Sequence, residues 1–254
     1  MLEQLKILRR QGKQYIPDVA KVHLHQNFRG RPVISSRPVD AQTLTDVCPM
    51  GALEMSPVRL DLAKCSFCGL CARTFPEKIS FTNDYRIATN IKSQLTVTEC
   101  NDLSITVDRN SVRPEVRKLF RRSLKLRQVS AGGDNSTELE LNACSNVNFD
   151  MGRFGIEFVA SPRHADGVVI TGPVTRNMAK ALQICYDAIP DPKIIVLAGV
   201  DALSGGIFAD SPAIDRSFME KYHIDLYIPG NPPHPLSIIN GLLDLCGNRN
   251  GNRW

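Results

Sequence analysis

The chain has 254 residues, 43% of them hydrophobic, and a formal charge of +5. That length suits two domains, or one larger domain with an appendage, and the composition is globular rather than disordered. The mild positive charge does not by itself imply nucleic acid, and no apolar run is long enough to span a bilayer. Residues 1–17 lack the continuous apolar core and small-residue cleavage site of a secretory signal, so none is expected. Eight cysteines, three of them in one tight loop, favour metal ligation in a reducing compartment over a disulfide framework.

In chain order, Leu2, Leu5, Ile7 and Leu8 among basic residues predict a short amphipathic helix. It is either a surface helix or a segment docked on a partner. A strand is expected over residues 19–28, then a turn at Arg29-Gly30-Arg31-Pro32. Residues 47–55 read as a turn into a strand, residues 58–62 as the returning strand, and residues 65–76 as loop and short helix. A strand over residues 79–81 follows. Residues 95–98 and 104–107 alternate like the strands of a hairpin, with Cys100 between them as a structural residue.

Residues 113–127 predict a linker helix. Pro114 suits its first turn, and Val116, Leu119, Phe120 and Leu124 fall on one face. Seven basic residues against one acid, Glu115, crowd the rest. That face is solvated, or it meets anionic lipid headgroups or an acidic partner. Nucleic acid is the weakest option, because no interleaved aromatics accompany the charge.

Beyond residue 127, short β runs alternate with helical stretches. Strands are expected at 155–159, 167–172, 193–198 and 224–228, and a helix over 177–188. This alternation predicts an α/β domain with a parallel sheet covered on both faces. The loops at 171–173, 199–201 and 229–233 then gather at one sheet edge, where open α/β sheets place their sites. The domains expected are 1–112, a linker at 113–127, and 128–254.

The sharpest motif is Cys65-Ser66-Phe67-Cys68-Gly69-Leu70-Cys71. A triplet spaced C-x2-C-x2-C is the ligand run of an iron–sulfur loop, which bacterial ferredoxins continue as x3-C-P. Here Phe75-Pro76 ends the run, so the fourth thiolate comes from elsewhere, and Cys48-Pro49 has the same C-P ending. Cys48, Cys65, Cys68 and Cys71 complete one [4Fe-4S] site, thiolates being soft, charged donors suited to iron. Zinc is the competing metal, although its four-cysteine sites more often use two C-x2-C pairs. Counting back from Cys48 by the same spacing gives Pro38, Ala41 and Leu44, which cannot bind iron; neither can Phe75. The module resembles an eight-iron ferredoxin that retains one cluster. Its Asn27-Phe28-Arg29-Gly30-Arg31-Pro32 segment is similar to the ferredoxin-like subunits of formate hydrogenlyase complexes.

Residues 115–246 carry a second resemblance. The stretch from Asp150 to Gly167 joins Thr171-Gly172-Pro173, Ser204-Gly205-Gly206-Ile207-Phe208 and Pro229-Gly230-Asn231-Pro232-Pro233. Together they resemble the small subunit of energy-converting nickel–iron hydrogenases and formate hydrogenlyase, a family that includes the B-type subunit of NADH–quinone oxidoreductase. The resemblance implies a flavodoxin-like fold and a cluster held by four cysteines. At those positions this chain has Asp134, Thr137, Asp201 and Asn231, harder donors that replace thiolate poorly. No cluster is expected there. The four groups form a hydrogen-bond network or, alternatively, Asp134 and Asp201 hold a hard cation. Cys144, Cys185 and Cys246 match no ligand position and read as buried structural thiols. Arg163, His164 and Asp166 read as a structural turn, which the resemblance puts near a large-subunit interface.

These resemblances imply an accessory subunit of a membrane-associated oxidoreductase complex, peripheral on the cytoplasmic side of the membrane. Its expected partners are a large hydrogenase-like or quinone-reductase-like chain and, indirectly, membrane-arm subunits; nucleic acid is not among them. It either carries electrons through its one cluster or serves as a structural, non-redox scaffold.

Overall fold

The structure, a computed structural model, describes residues 2–12, 14–55, 57–101 and 103–247. Residues 248–254, the end of the second expected domain, lie outside that range. The first element is α1 (Leu2–Gln11), all of it exposed. Glu3 in its first turn and Arg9 and Arg10 in its last complement the helix dipole.

The cysteine module is built from β1 (Pro32–Ile34), α2 (Ala41–Asp46), β2 (Leu53–Glu54), β3 (Arg59–Asp61), α3 (Leu70–Thr74), β4 (Ile79–Phe81) and β5 (Thr96–Thr98). β1 pairs antiparallel with β4, and β3 pairs antiparallel with both β2 and β5. The two small sheets are tied together by the buried Lys78. Its Nζ donates to Glu99 Oε1 at 2.9 Å and to Arg37 O at 2.7 Å. Cys100 N donates to Ile34 O at 3.0 Å across the same joint, while the Cys100 thiol is exposed.

Two expectations fail in this half. Residues 19–28 form turns and loop, not a strand. Their backbone groups find side chains instead of a ladder: Ala20 N donates to Asp18 Oδ1, Val22 N donates to Tyr85 Oη, and Val19 O accepts from Tyr85 Oη and Asn240 Nδ2. Residues 95–98 and 104–107 do not form a hairpin, because β5 takes β3 as its partner. Ile105 and Val107 are nevertheless buried.

The expected linker helix is also corrected. α4 spans Pro114–Leu119 only, and β6 (Leu124–Ser130) follows it. Leu119 is exposed, whereas Val116 and Phe120 are buried. Leu124 and Leu126 are buried with Lys125 and Arg127 between them, the two-residue period of a strand. β6 lies inside the parallel sheet, so the second domain begins before residue 128.

That domain continues with α5 (Ser136–Ala143), β7 (Ile156–Phe158), β8 (Gly167–Thr171), α6 (Arg176–Asp187), β9 (Ile194–Ala198), α7 (Val200–Ser204), α8 (Ser217–Lys221), β10 (Leu226–Ile228) and α9 (Pro235–Cys246). Every sheet pairing is parallel, in the order β10-β9-β8-β6-β7. Counted within the domain, that is the 2-1-3-4-5 order of a flavodoxin-like fold. β8 and β9 are buried along their whole length, as strands covered on both faces must be.

α9 is mostly apolar and almost wholly buried, with Ser237, Asn240 and Asp244 along one face. A Cβ on Gly241 would come within 2.6 Å of Ala88 Cβ, so the helix packs directly on the cysteine module. β10 would be an open sheet edge, but Thr89 bridges it: Thr89 N donates to Tyr227 O at 3.0 Å and Tyr227 N to Thr89 O at 2.8 Å. At the same joint Arg113 Nε and Nη2 grip the buried Asp225 carboxylate at 3.1 and 3.2 Å.

Candidate functional site

The cysteine loop is shaped by backbone that most residues avoid. Phe67 and Gly69 have φ of +54° and +72°. Gly69 also leaves room for a side chain, since a Cβ there would lie 2.8 Å from Arg29 Cδ. Arg29 Nε donates to Phe67 O, and Arg73 Nη1 donates to Cys68 O at 3.1 Å. Two guanidinium groups therefore fix the carbonyls of this loop. α3 begins at Leu70, which places Cys71 in its first turn.

Cys65 and Cys71 are buried, Cys48 is half-buried and Cys68 is exposed. Two sulfurs already accept backbone amides: Cys48 Sγ from Ala52 N and Cys65 Sγ from Phe67 N, each at 3.3 Å. Burial pushes the Cys65 thiol up to about 12, and the charges of Cys71, Cys48 and Cys68 push the same way. Cys71 rises to about 11, again mainly through burial, with Cys48 and Cys68 adding to it. The four expected ligands are thus within electrostatic reach of one another. A bound cation would favour the thiolate forms, and amide donors on sulfur suit an iron–sulfur centre.

Two of the positions read as lacking a ligand for a second cluster hold apolar side chains. Leu44 is fully buried and Phe75 packs against the same core, so apolar side chains occupy the place of ligands.

At the sheet edge, Gly199 turns the chain after β9 with φ +89°, and a Cβ there would strike Thr137 Oγ1 at 2.6 Å. Val200 N donates to Gly230 O at 2.9 Å, holding the Asn231 loop against the Asp201 loop. Asp134, Thr137 and Asp201 gather here as expected, while the exposed Asn231 faces outward from the same edge. Asp134 Oδ1 accepts from Ser136 Oγ at 2.6 Å and Ser136 N at 2.9 Å, which hold its carboxyl below the ordinary range. Asp201 is pushed upward, by burial first and then by Asp134 and Glu138.

Two residues at this edge are not evident from sequence spacing. Glu138 is 5% exposed, and its Oε1 accepts from Ser130 Oγ at 2.5 Å and Thr171 Oγ1 at 2.6 Å. It clamps the ends of β6 and β8. Arg216 donates to the carbonyls of Pro173, Asp201, Ala202 and Leu203, tying α7 to the loop after β8. An acid in a helix and a lone arginine carry no spacing signal that could have found them.

Among the described residues, no three His, Cys, Asp or Glu side chains stand close enough to hold one metal ion, at either place. A four-iron cluster has a different requirement, one thiolate for each iron, so its ligands do not converge on a point.

The two places are neighbours. A cavity of ≈ 250 Å³ is lined by Cys68, Phe67 and Arg29 on one side and by Asn231 and His234 on the other. His234 Nδ1 accepts from Leu236 N at 3.1 Å, and burial holds its pKa down. Of the remaining cysteines, Cys144 and Cys246 are buried as expected. Cys185 is only half-buried, beside Arg127 in an apolar groove, which corrects its reading as a core thiol. Among the described residues, no helix is long and apolar enough to cross a membrane.

Comparison with known proteins bears on the second domain. The family model described as NADH ubiquinone oxidoreductase, 20 Kd subunit, matches residues 135–245. The chain is 34% identical over 126 residues to the probable membrane-bound hydrogenase subunit mbhJ of Pyrococcus furiosus, covering 50% of this chain and 75% of that one. It is 39% identical over 145 residues to formate hydrogenlyase subunit 7 of Escherichia coli, covering 56% of this chain and only 57% of the relative. Among solved structures, a chain of the membrane-bound sulfane sulfur reductase, an archaeal respiratory membrane complex, is 28% identical with a TM-score of 0.46 over 56% of this chain and 78% of that one. With three-quarters of the Pyrococcus subunit covered, this chain belongs to the family of the 20 Kd subunit of NADH ubiquinone oxidoreductase.

Proposed function

We propose that the chain is an iron–sulfur subunit of a membrane-associated oxidoreductase complex, with one [4Fe-4S] cluster on Cys48, Cys65, Cys68 and Cys71. What supports this reading is the C-x2-C-x2-C spacing of Cys65, Cys68 and Cys71 with Cys48-Pro49, and the backbone N–H groups that the Cys48 and Cys65 sulfurs accept. When bound, the cluster supplies one-electron transfer. The chain's own residues orient it: Arg29 and Arg73 fix the loop carbonyls, and the burial of Cys65 and Cys71 keeps water from two ligands. Cys68, exposed beside the Asn231 cavity, is the ligand through which exchange with a partner is most direct.

The sheet domain docks against a large subunit of the hydrogenase or quinone-reductase type, on the cytoplasmic face of the membrane and in indirect contact with membrane-arm subunits. Asp134, Thr137, Asp201 and Asn231 take the places of cluster ligands and hold no second cluster. The second reading is a non-redox scaffold, and its support is that Asp134, Thr137, Asp201 and Asn231 stand where the resemblance puts thiolates.

Anaerobic purification of the complex, with iron quantification and EPR, separates these readings. About four irons per chain and one signal on reduction support the site; about eight irons overturn it. A cluster that never changes redox state during turnover leaves only the scaffold.

A further inference from the structure

α1 is the one described α-helix with no buried residue, and its apolar side chains are exposed. Leu2, Leu5 and Leu8 recur every three residues on one side and are 76%, 57% and 64% exposed. Lys6, Arg9 and Arg10 flank that stripe against the single acid Glu3. The helix is amphipathic without being hydrophobic overall, the profile of a helix that lies in a bilayer surface rather than crossing it.

Its root is fixed beside a second basic surface. Ile16 N donates to Asn148 O at 2.8 Å, and Arg153 Nη2 donates back to Ile16 O. The Arg153 guanidinium stacks 5.0 Å above the Tyr15 ring. Gly155, next along, packs so tightly on Arg122 that a Cβ would meet Arg122 O at 2.3 Å. Around this point Lys118, Leu119, Arg121, Arg122 and Val147 are all exposed. An exposed apolar and cationic helix therefore springs from beside an exposed apolar and cationic turn.

From this juxtaposition we infer that α1 and residues 117–122, the end of α4 and the turn after it, together form a docking surface for an anionic phospholipid bilayer. The leucines enter the acyl boundary while the basic side chains meet the headgroup phosphates. One such signal gives marginal attachment and two give stable attachment. A bilayer is favoured over an acidic protein because both segments expose leucine beside basic side chains, the pairing that an acyl boundary and headgroup phosphates satisfy together. This inference does not depend on the cluster.

Co-sedimentation of the full chain with vesicles tests it. The chain pellets with vesicles of phosphatidylcholine and phosphatidylglycerol, stays in solution with phosphatidylcholine alone, and is released by salt. Replacing Leu5→Glu and Leu8→Glu abolishes pelleting, and Arg121→Gln and Arg122→Gln weaken it about fivefold each. Iron content and thermal unfolding stay as in the unmodified chain, since each change is on exposed residues. Failure to pellet, equal pelleting with both vesicles, or undiminished binding by the variants overturns the inference. Self-association without lipid that is lost with Leu5→Glu and Leu8→Glu also overturns it.

Discussion

The two halves of the chain reach stability by different means. In the cysteine module the strands run two or three residues, and two of its buried groups are thiols whose burial raises their pKa. In the sheet domain, β8 and β9 are five residues each and fully buried, and α9 is almost wholly buried too. The first half packs Leu44, Leu60, Leu62, Ile79 and Leu95 in its interior, which the proposed cluster would complete; the second is built on aliphatic strands throughout. The difference teaches where substitution is tolerated. Loss of cluster ligands at the sheet edge leaves a domain that folds on aliphatic packing, whereas loss of ligands in the module removes part of its interior.

The largest expected effect follows. Cys65→Ser or Cys71→Ser removes a buried ligand, and hydrogen exchange speeds up across β1 to β5 while β8 and β9 stay protected. Uniform protection in both halves would erase the contrast. Next is the joint. Arg113→Ala strands the Asp225 carboxylate, which is 4% exposed. The cost is about 2 kcal/mol, below the ~3–5 kcal/mol of a fully enclosed pair, because the guanidinium side reaches solvent. Denaturant unfolding measures it.

Within the sheet domain, Glu138→Ala leaves the hydroxyls of Ser130 and Thr171 without their acceptor and costs about 1–3 kcal/mol. Glu138→Gln keeps an acceptor and costs less. Asp201 gives a pH-dependent effect of the opposite sign. Burial and the neighbouring acids raise its pKa above the unfolded value, so the folded chain retains a proton that the unfolded chain has lost. Stability therefore falls as pH rises from the ordinary carboxylate range through the folded pKa. Asp201→Asn raises Tm at neutral pH, and the gain vanishes below that range. A gain that persists in acid would mean that charge is not the cause. Smallest is Asn231→Ala, an exposed side chain whose loss changes stability by no more than about 0.5 kcal/mol.

Much of the sheet domain was legible because β8, β9 and β10 are short apolar runs punctuated by glycine or proline. The cysteine spacing was legible for a different reason, that ligand geometry is written locally. What escaped was non-local or ambiguous. Leu124 and Leu126 alternate with basic residues, yet Leu124 also continues the helical period from Val116 and Phe120, and the longer period hid a central strand. β1 finds β4 across the 44 residues from 35 to 78, and no pattern in Pro32-Val33-Ile34 names that partner. Residues 19–28 had strand-like composition but gave their hydrogen bonds to Tyr85 and Asn240, which only the fold brings near. At the sheet edge, the Asp201 loop was foreseen from strand order, and Asp134 and Thr137 from the resemblance. The clamp by Glu138 was not, because its two hydroxyl partners lie on separate strands.

The most direct test of one cluster, held in the module alone, is the iron content of the anaerobically purified Cys65→Ala, Cys71→Ala double variant beside the unmodified chain. The account predicts a fall from about four irons per chain to nearly none, with the EPR signal gone. Retention of about four irons in the double variant would place the cluster elsewhere in the chain and contradict it.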